Sequence, residues 1–225
     1  MTGNTRNVFT KNIKKHIEYK GTPVLSVNLK YPEFEELSET KAERAFISKM
    51  NKFYAESARR YLDVLSKSYV KNASKIFEKN GNTETSCVMN YNVAYSDDDI
   101  VSVFVDISGF DGNAVKTSRF PQLWSREKSA ILPASYVMDT SSKSKTYLKE
   151  LITEIADKNA ARRDFSYYDN YRSIIKRKFD VSNFYIVPNG VAFFYDNGLL
   201  SASMGDVCVF VLPSQRIDGL LKITL

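Results

Sequence analysis

The chain has 225 residues, of which 43% are hydrophobic and 26% charged, with a formal net charge of +6 and a pI near 9.1. These values are those of an ordinary globular protein with enough apolar material for a core, and no apolar run is long enough to span a membrane as a helix. The basic residues are spread over most of the chain, so the charge itself indicates no nucleic-acid partner.

The composition of the N-terminal residues indicates neither ordered structure nor a secretion signal. Residues 1–16 are polar and basic and lack an apolar core and a cleavage site, so we expect a flexible segment and a cytoplasmic chain. A chain trimmed of a signal or anchor would look the same, which leaves an extracellular location as the alternative. Two strands are then predicted, the second over about residues 23–31 and ended by Pro32.

Residues 38–81 give the strongest helical pattern. No Gly or Pro occurs between Ser38 and Gly81, and apolar residues such as Phe46, Met50 and Phe53 recur at helical spacing. A single helix of about 38 residues within Glu39–Lys79 would be about 57 Å long, which exceeds the size of a compact domain. We therefore expect a bend near Ser66–Asn72.

The remaining elements predict a mixture of strands and helices. Residues 87–107 alternate as a hairpin with its tip at Ser96–Asp99, and a helix is predicted from Thr140 or Ser141. A second hairpin turns at Asn189-Gly190, with Phe184 and Ile186 on one face and Tyr185 and Val187 on the other.

The order of these elements predicts an α+β fold. It consists of a mainly antiparallel sheet, containing both 87–107 and 184–212, covered by one long N-terminal helix and shorter helices. We expect one domain over 17–225, with a strand and long-helix part at 17–81 and the other sheet strands and helices at 82–213.

The sequence contains no recognisable catalytic, cofactor or metal site. His16 is the only histidine, and Asp97, Asp98 and Asp99 lack the glycine and glutamate of a calcium loop. Cys87 and Cys208 lie in apolar runs and are either buried inert thiols or a disulfide. We expect no enzyme activity, no cofactor and no bound metal.

One segment combines aromatic and basic residues. "RRDFSYYDNYRSIIKRKF" could stack on a single-stranded nucleic acid, or it could form an amphipathic helix. We favour the helix, with Tyr171, Ile174, Ile175 and Phe179 facing the core, and expect no nucleic-acid partner.

The segments "VLSVNLKYPEF", "NYNVAYSDDDIVSVFVDISGF", "GNAVKTSRFPQLW" and "FYIVPNGVAFFY", in this order, resemble the RsiV-like domain. This is the extracellular domain of the anti-sigma-V factor, which also precedes the deacetylase domain of some peptidoglycan deacetylases. The likeness runs from about residue 17 to 213. It implies an α+β domain that has no catalytic residues and, in the anti-sigma factor, senses lysozyme by binding it.

The sequence departs from this family in two loops. Asp111 stands where the family has a histidine, although Gly112 and Asn113 fit, and residues 196–206 lack the Ala-Pro-Tyr motif, although Gly205 fits. We therefore predict a binding domain for a protein or cell-wall-related ligand, with the loops 108–125 and 196–206 sharing one surface. The predicted contact residues are Phe110, Asp111, Asn113, Trp124, Leu199, Leu200 and Met204. The alternative is that Trp124 and Leu200 belong to the core; an enzyme with an unrecognised site and a structural module are the rival classes.

Overall fold

The computed structural model describes residues 7–36, 40–81, 85–111, 113–162, 165–202 and 207–224. The chain divides into two compact units. The first consists of Met1–Asn92 and Val105–Lys116, and the second of Val93–Phe104 and Thr117–Leu225.

The strands form two sheets, not the one sheet that the sequence predicts. The first has six strands in chain order: β1 Val8–Tyr19, β2 Thr22–Phe34, β3 Thr85–Ser96, β4 Ile100–Phe110, β5 Val115–Ser125 and β6 Ala130–Ile131. The second has three antiparallel strands: β7 Phe184–Val187, β8 Gly190–Tyr195 and β9 Cys208–Pro213. The fold is α+β and mostly antiparallel, as predicted, although β2 and β3 run parallel.

The N-terminal segment 1–16 is ordered where the structure describes it. From Val8 onward it forms β1, which pairs with β2 along its whole length. An edge strand exposed to water needs few apolar residues, which is why its composition resembles that of a flexible tail.

The long helix follows these two strands and is therefore not N-terminal. It comprises α1 Lys41–Val64, a π-helical segment Leu65–Tyr69 and α2 Val70–Asn80. The π-helical segment overlaps the region 66–72 where a bend is expected. The helix starts at Thr40, whose hydroxyl accepts a hydrogen bond from the Glu43 amide at 3.3 Å, and the predicted starts Ser38 and Glu39 lie outside the described residues.

Helix α1 packs on β2 in the first unit. Its buried residues are Phe46, Ile47, Met50, Tyr54 and Ala58, whereas Phe53 is only half-buried. The Asn51 side chain completes the contact, since it accepts a hydrogen bond from the Phe34 amide at 2.8 Å and donates one to the Phe34 carbonyl at 2.9 Å. The Asn51 side chain thus forms the two backbone hydrogen bonds at Phe34 that a neighbouring strand would otherwise form.

The second unit holds the remaining helices: α3 Ala134–Val137, α4 Ser142–Ala161, α5 Tyr171–Lys178 and α6 Ser214–Ile217. Helix α4 begins after Ser141, as predicted, and the Ser141 hydroxyl accepts a hydrogen bond from the Ser144 amide at 3.3 Å. Hydrogen bonds from the hydroxyls of Ser144 and Ser141 lower the pKa of Asp139 to about 2, so this carboxylate stays charged beside the start of the helix.

The central strand of the second sheet, β8, is buried on both faces. Phe184, Ile186 and Phe193 lie in a large cluster with residues of α4 and α5. Tyr185 and Phe194 face the other way and lie in a smaller cluster against which Phe104 packs. The predicted alternation of the aromatic hairpin is therefore confirmed, and all six residues of β8 are buried.

The turn of this hairpin lies one residue earlier than predicted. Val187 pairs with Gly190, so the two loop residues are Pro188 and Asn189, and Asn189 has a φ of 63°. Proline followed by asparagine at positive φ is typical of a type II turn. Gly190 is needed for a different reason, because a Cβ on it would lie 2.4 Å from the Leu212 carbonyl oxygen of β9.

Replacing Gly190 with alanine should therefore destabilise the second unit. We expect Gly190→Ala to lower the free energy of unfolding by about 1 to 3 kcal/mol, because backbone atoms of β9 must move to admit the methyl group. Chemical denaturation followed by circular dichroism measures this change.

Gly219→Ala is the matched control, since a Cβ at that position would meet nothing within 4 Å. It should be neutral or slightly stabilising. Equal stability of the two variants would contradict the close approach of β8 and β9.

Candidate functional site

Three of the predicted contact residues lie in the first unit, in the turn between β4 and β5. The Asp111 carboxylate accepts hydrogen bonds from the amides of Ala114 at 3.0 Å and Asn113 at 3.1 Å, and these bonds lower its pKa. Phe110 is half-buried and Asn113 is exposed, while Gly112 lies outside the described residues. Asp111 thus stabilises the turn, a role that asparagine and aspartate side chains often have.

Two residues predicted to contact a partner belong instead to the core of the second unit. Trp124 is only 2% exposed and Leu200 only 1%, so neither can contact a partner in the folded state. The region 108–125 is not a long loop, because β5 occupies most of it. Leu199 is half-buried against the core, and Met204 lies outside the described residues.

The described part of the second predicted loop, residues 196–202, is held in place by hydrogen bonds. The Asn197 amide donates to the Thr117 carbonyl at 3.4 Å, and the Asp196 carboxylate accepts from the Arg119 amide at 3.2 Å. The Tyr168 amide donates to the Leu200 carbonyl at 2.9 Å. The loop is therefore tied to β5 and to the segment that joins α4 to α5.

Two exposed rings precede α5, Phe165 and Tyr168; together with the half-buried Leu199 of the loop they are termed the aromatic surface. Phe165 is 38% exposed and Tyr168 is 37% exposed. The Tyr168 hydroxyl donates to the Gly198 carbonyl at 3.4 Å, so the side chain is held against the loop while its ring still contacts water. Rings fixed in this way lose little conformational entropy when a ligand binds.

The Phe165 ring of the aromatic surface is supported by a stack of further rings. Phe165 stacks on Tyr167 with ring centres 5.8 Å apart, and Tyr167 stacks on Tyr171 at 5.1 Å. Burial raises the pKa of Tyr167 to about 12, so this ring stays neutral at physiological pH.

The Asp157 carboxylate fixes the end of the stack. It accepts hydrogen bonds from the Tyr171 hydroxyl at 2.5 Å and from Arg172 at 2.9 Å. Burial opposes ionisation of Asp157, but these two hydrogen bonds outweigh it and lower its pKa. A charged carboxylate therefore holds Tyr171, and through it the rings that support Phe165.

A second group of aromatic residues in this unit has a structural role. The Arg119 guanidinium lies 3.8 Å from the centre of the Phe104 ring and 5.4 Å from that of Tyr185, and it donates a hydrogen bond to the Tyr185 hydroxyl at 3.3 Å. The Arg119 guanidinium therefore packs on rings of the smaller core cluster, where cation–π contacts stabilise the fold.

The other candidate sites have structural explanations. Asp97 accepts hydrogen bonds from the amides of Asp99 and Ile100 and so shapes the tip of the β3–β4 hairpin. Cys87 and Cys208 are free and buried, as the first of the two interpretations predicts, and burial raises the pKa of Cys208 to about 11. Such thiols are poor nucleophiles at neutral pH.

Among the described residues there is neither a cluster suited to a metal ion nor a helix suited to crossing a membrane. His16 lies exposed on β1, and no group of three His, Cys, Asp or Glu side chains in the described part of the chain is arranged to hold a metal ion. None of the helices described for this chain has both the length and the apolar character that crossing a bilayer requires.

The aromatic residues of this surface are conspicuous in the sequence, but the sequence did not predict that they are exposed side by side with the loop 196–202. Phe165, Tyr167 and Tyr168 belong to the segment in which nucleic-acid stacking was weighed against an amphipathic helix. That helix is confirmed as α5, with Tyr171, Ile174 and Ile175 buried. The aromatic residues before it are not helical, and only the loop 196–202 shows that they form a surface.

Comparison with known proteins identifies the fold. No family model and no curated protein matches the sequence. The structure is similar to that of a DUF3298 family member from Bacteroides fragilis, with a TM-score of 0.61 and 13% identity over 97% of this chain and 94% of that chain. It is also similar to a DUF3298 family protein from Pseudomonas aeruginosa, with a TM-score of 0.60 and 12% identity over 96% of this chain and 95% of that chain.

These structures define a class of α+β fold shared with DUF3298 proteins, a family of unknown function. At this level of identity the similarity establishes the fold and no activity. The fold is consistent with the RsiV-like resemblance of the sequence.

The burial of Trp124 can be tested by fluorescence, because it is the only tryptophan. We expect blue-shifted emission and weak quenching by acrylamide in the folded protein, with both changing to the values of free tryptophan on unfolding, since water reaches the indole only then. Red-shifted, easily quenched emission from the folded chain would show that Trp124 is exposed and would contradict its assignment to the core.

Proposed function

We propose that the chain is a binding domain without catalytic chemistry of its own, and that the aromatic surface recognises a protein or cell-wall-related ligand. The observation that carries the proposal is the fixed, exposed ring of Tyr168, which is hydrogen-bonded to the loop 196–202 and accompanied by Phe165. Aromatic side chains of this kind supply the energetic centres of binding surfaces.

The relation to the RsiV-like domain is part of this proposal. The order of the sequence segments supports it, and the fold shared with DUF3298 proteins is consistent with it. Asp111 and residues 196–206 depart from the pattern of the lysozyme-sensing domain, so we propose a ligand other than lysozyme.

Of the two ligand classes, we favour the cell wall. Exposed rings can stack on the C–H faces of sugars, and the Phe165 ring is itself backed by further stacked rings. A ligand of this kind would require the extracellular location that the sequence left as the alternative.

The test is cosedimentation of the whole chain with purified peptidoglycan, with lysozyme titrated separately as the protein comparison. We expect peptidoglycan to bind, lysozyme not to bind, and Tyr168→Ala to weaken binding about tenfold or more because an anchoring ring is lost. The backbone hydrogen bond from residue 168 to Leu200 survives this substitution, so the loop keeps its anchor.

Tyr136→Ala is the matched control, since Tyr136 is an exposed tyrosine of the same unit and lies on α3. It should bind as the parent chain does. Equal weakening in both variants, or no binding of either probe, would contradict the proposal. Mass spectrometry of the recovered peptidoglycan distinguishes the enzyme alternative, because a binding domain leaves the ligand chemically unchanged.

A further inference from the structure

Strand β1 forms one edge of the six-stranded sheet. Among the described residues it pairs with β2 alone, in a register that runs from Val8 opposite Phe34 to Tyr19 opposite Thr22. At 12 residues it is longer than most strands. In an antiparallel pair, alternate residues direct their amide and carbonyl groups away from the partner, so the outer side of β1 presents a row of backbone donors and acceptors.

The side chains of β1 make this edge basic. Lys14 and Lys15 are exposed and lie opposite Asn28 and Val27, so they project from opposite faces of the sheet. Lys11 pairs with Glu33 at 2.8 Å, which leaves the two central lysines as the main charge of the strand.

We propose that the outer edge of β1 accepts an extended acidic peptide segment as an additional strand. The backbone of the peptide would extend the sheet, and carboxylates on both of its faces would lie beside Lys14 and Lys15. Opposite charges on neighbouring strands stabilise a pair, and strand addition of this kind is a general mode of peptide recognition. This site lies in the first unit and is independent of the aromatic surface.

The charge pattern decides between this occupant and a second copy of the chain. Two β1 strands paired edge to edge would bring the lysines at the centre of each strand close to one another, and like charges placed in this way destabilise a pair. An acidic segment turns the same lysines into attractive contacts. Lysines on an edge also discourage unselective aggregation, so this edge favours an acidic partner and disfavours an apolar one.

The experiment measures fluorescence anisotropy of labelled peptides of about eight residues, a usual strand length, in which glutamate alternates with valine and threonine. The comparison peptides carry lysine in place of glutamate, or N-methyl groups on alternate amides. We expect saturable binding of the acidic peptide only, weakened by salt because the charges are exposed.

The matched variant is the double substitution Lys14→Glu and Lys15→Glu, which changes only exposed side chains. We expect it to weaken binding of the acidic peptide about tenfold or more and to bind the lysine peptide instead. Circular dichroism of the variant confirms that the strand is retained.

Several results would overturn the proposal. These are failure of the acidic peptide to bind, equal binding of the acidic and basic peptides, and equal binding of the N-methylated peptide, which cannot donate its backbone hydrogen bonds. Analytical ultracentrifugation supplies the last test, since dimerisation that β1 substitutions abolish would assign the edge to a second copy of the chain.

Discussion

Burial of β8 on both faces is the constraint on which the second unit depends. Helices α4 and α5 cover one face, and Phe104 and its neighbours cover the other. A strand buried on both faces must be apolar along its whole length, which explains the aromatic run of Gly190–Tyr195. The same constraint explains Gly190, since any side chain there would collide with the backbone of β9.

This packing determines where the second unit can bind a ligand. The rings of the three-stranded sheet are occupied by the core and by the Arg119 guanidinium, so they offer little to a partner. The chain that leaves β8 continues as the loop 196–202, which fixes Tyr168 through two hydrogen bonds. Rigid strands therefore position the loop that carries the candidate site, a common division of labour in binding proteins.

Local periodicity predicted the elements well, because it depends only on which face of a helix or strand is buried. The buried face of α1 and the two faces of the β7–β8 hairpin both follow from such patterns. Periodicity cannot assign a strand to a sheet, since alternation records burial and not the pairing partner. The two sheets were therefore predicted as one.

The same limit explains the errors in the site. Trp124 follows Pro121 in a segment rich in turn residues, and such a composition predicts a loop. The segment in fact forms strand β5, whose last residues are buried. Residues 8–16 carry lysines because one edge and both faces of β1 meet water, a pattern that a flexible tail shares. Tyr168 could be assigned only when its hydrogen bonds to residues 198 and 200 were known, and contacts of that sequence separation have no local pattern.

Native-state hydrogen exchange tests the central claim most directly, which is that a rigid strand buried on both faces, β8, positions a less protected recognition loop. Amides of β8 from Val191 to Tyr195 should exchange only through global unfolding of the second unit, because both faces of the strand are covered and both of its neighbours are paired. Amides of the exposed segment 165–167 and of Gly198 should exchange much faster, since the Tyr168 amide is hydrogen-bonded to the Leu200 carbonyl. Exchange of the β8 amides at the rate of these loop amides would contradict the account.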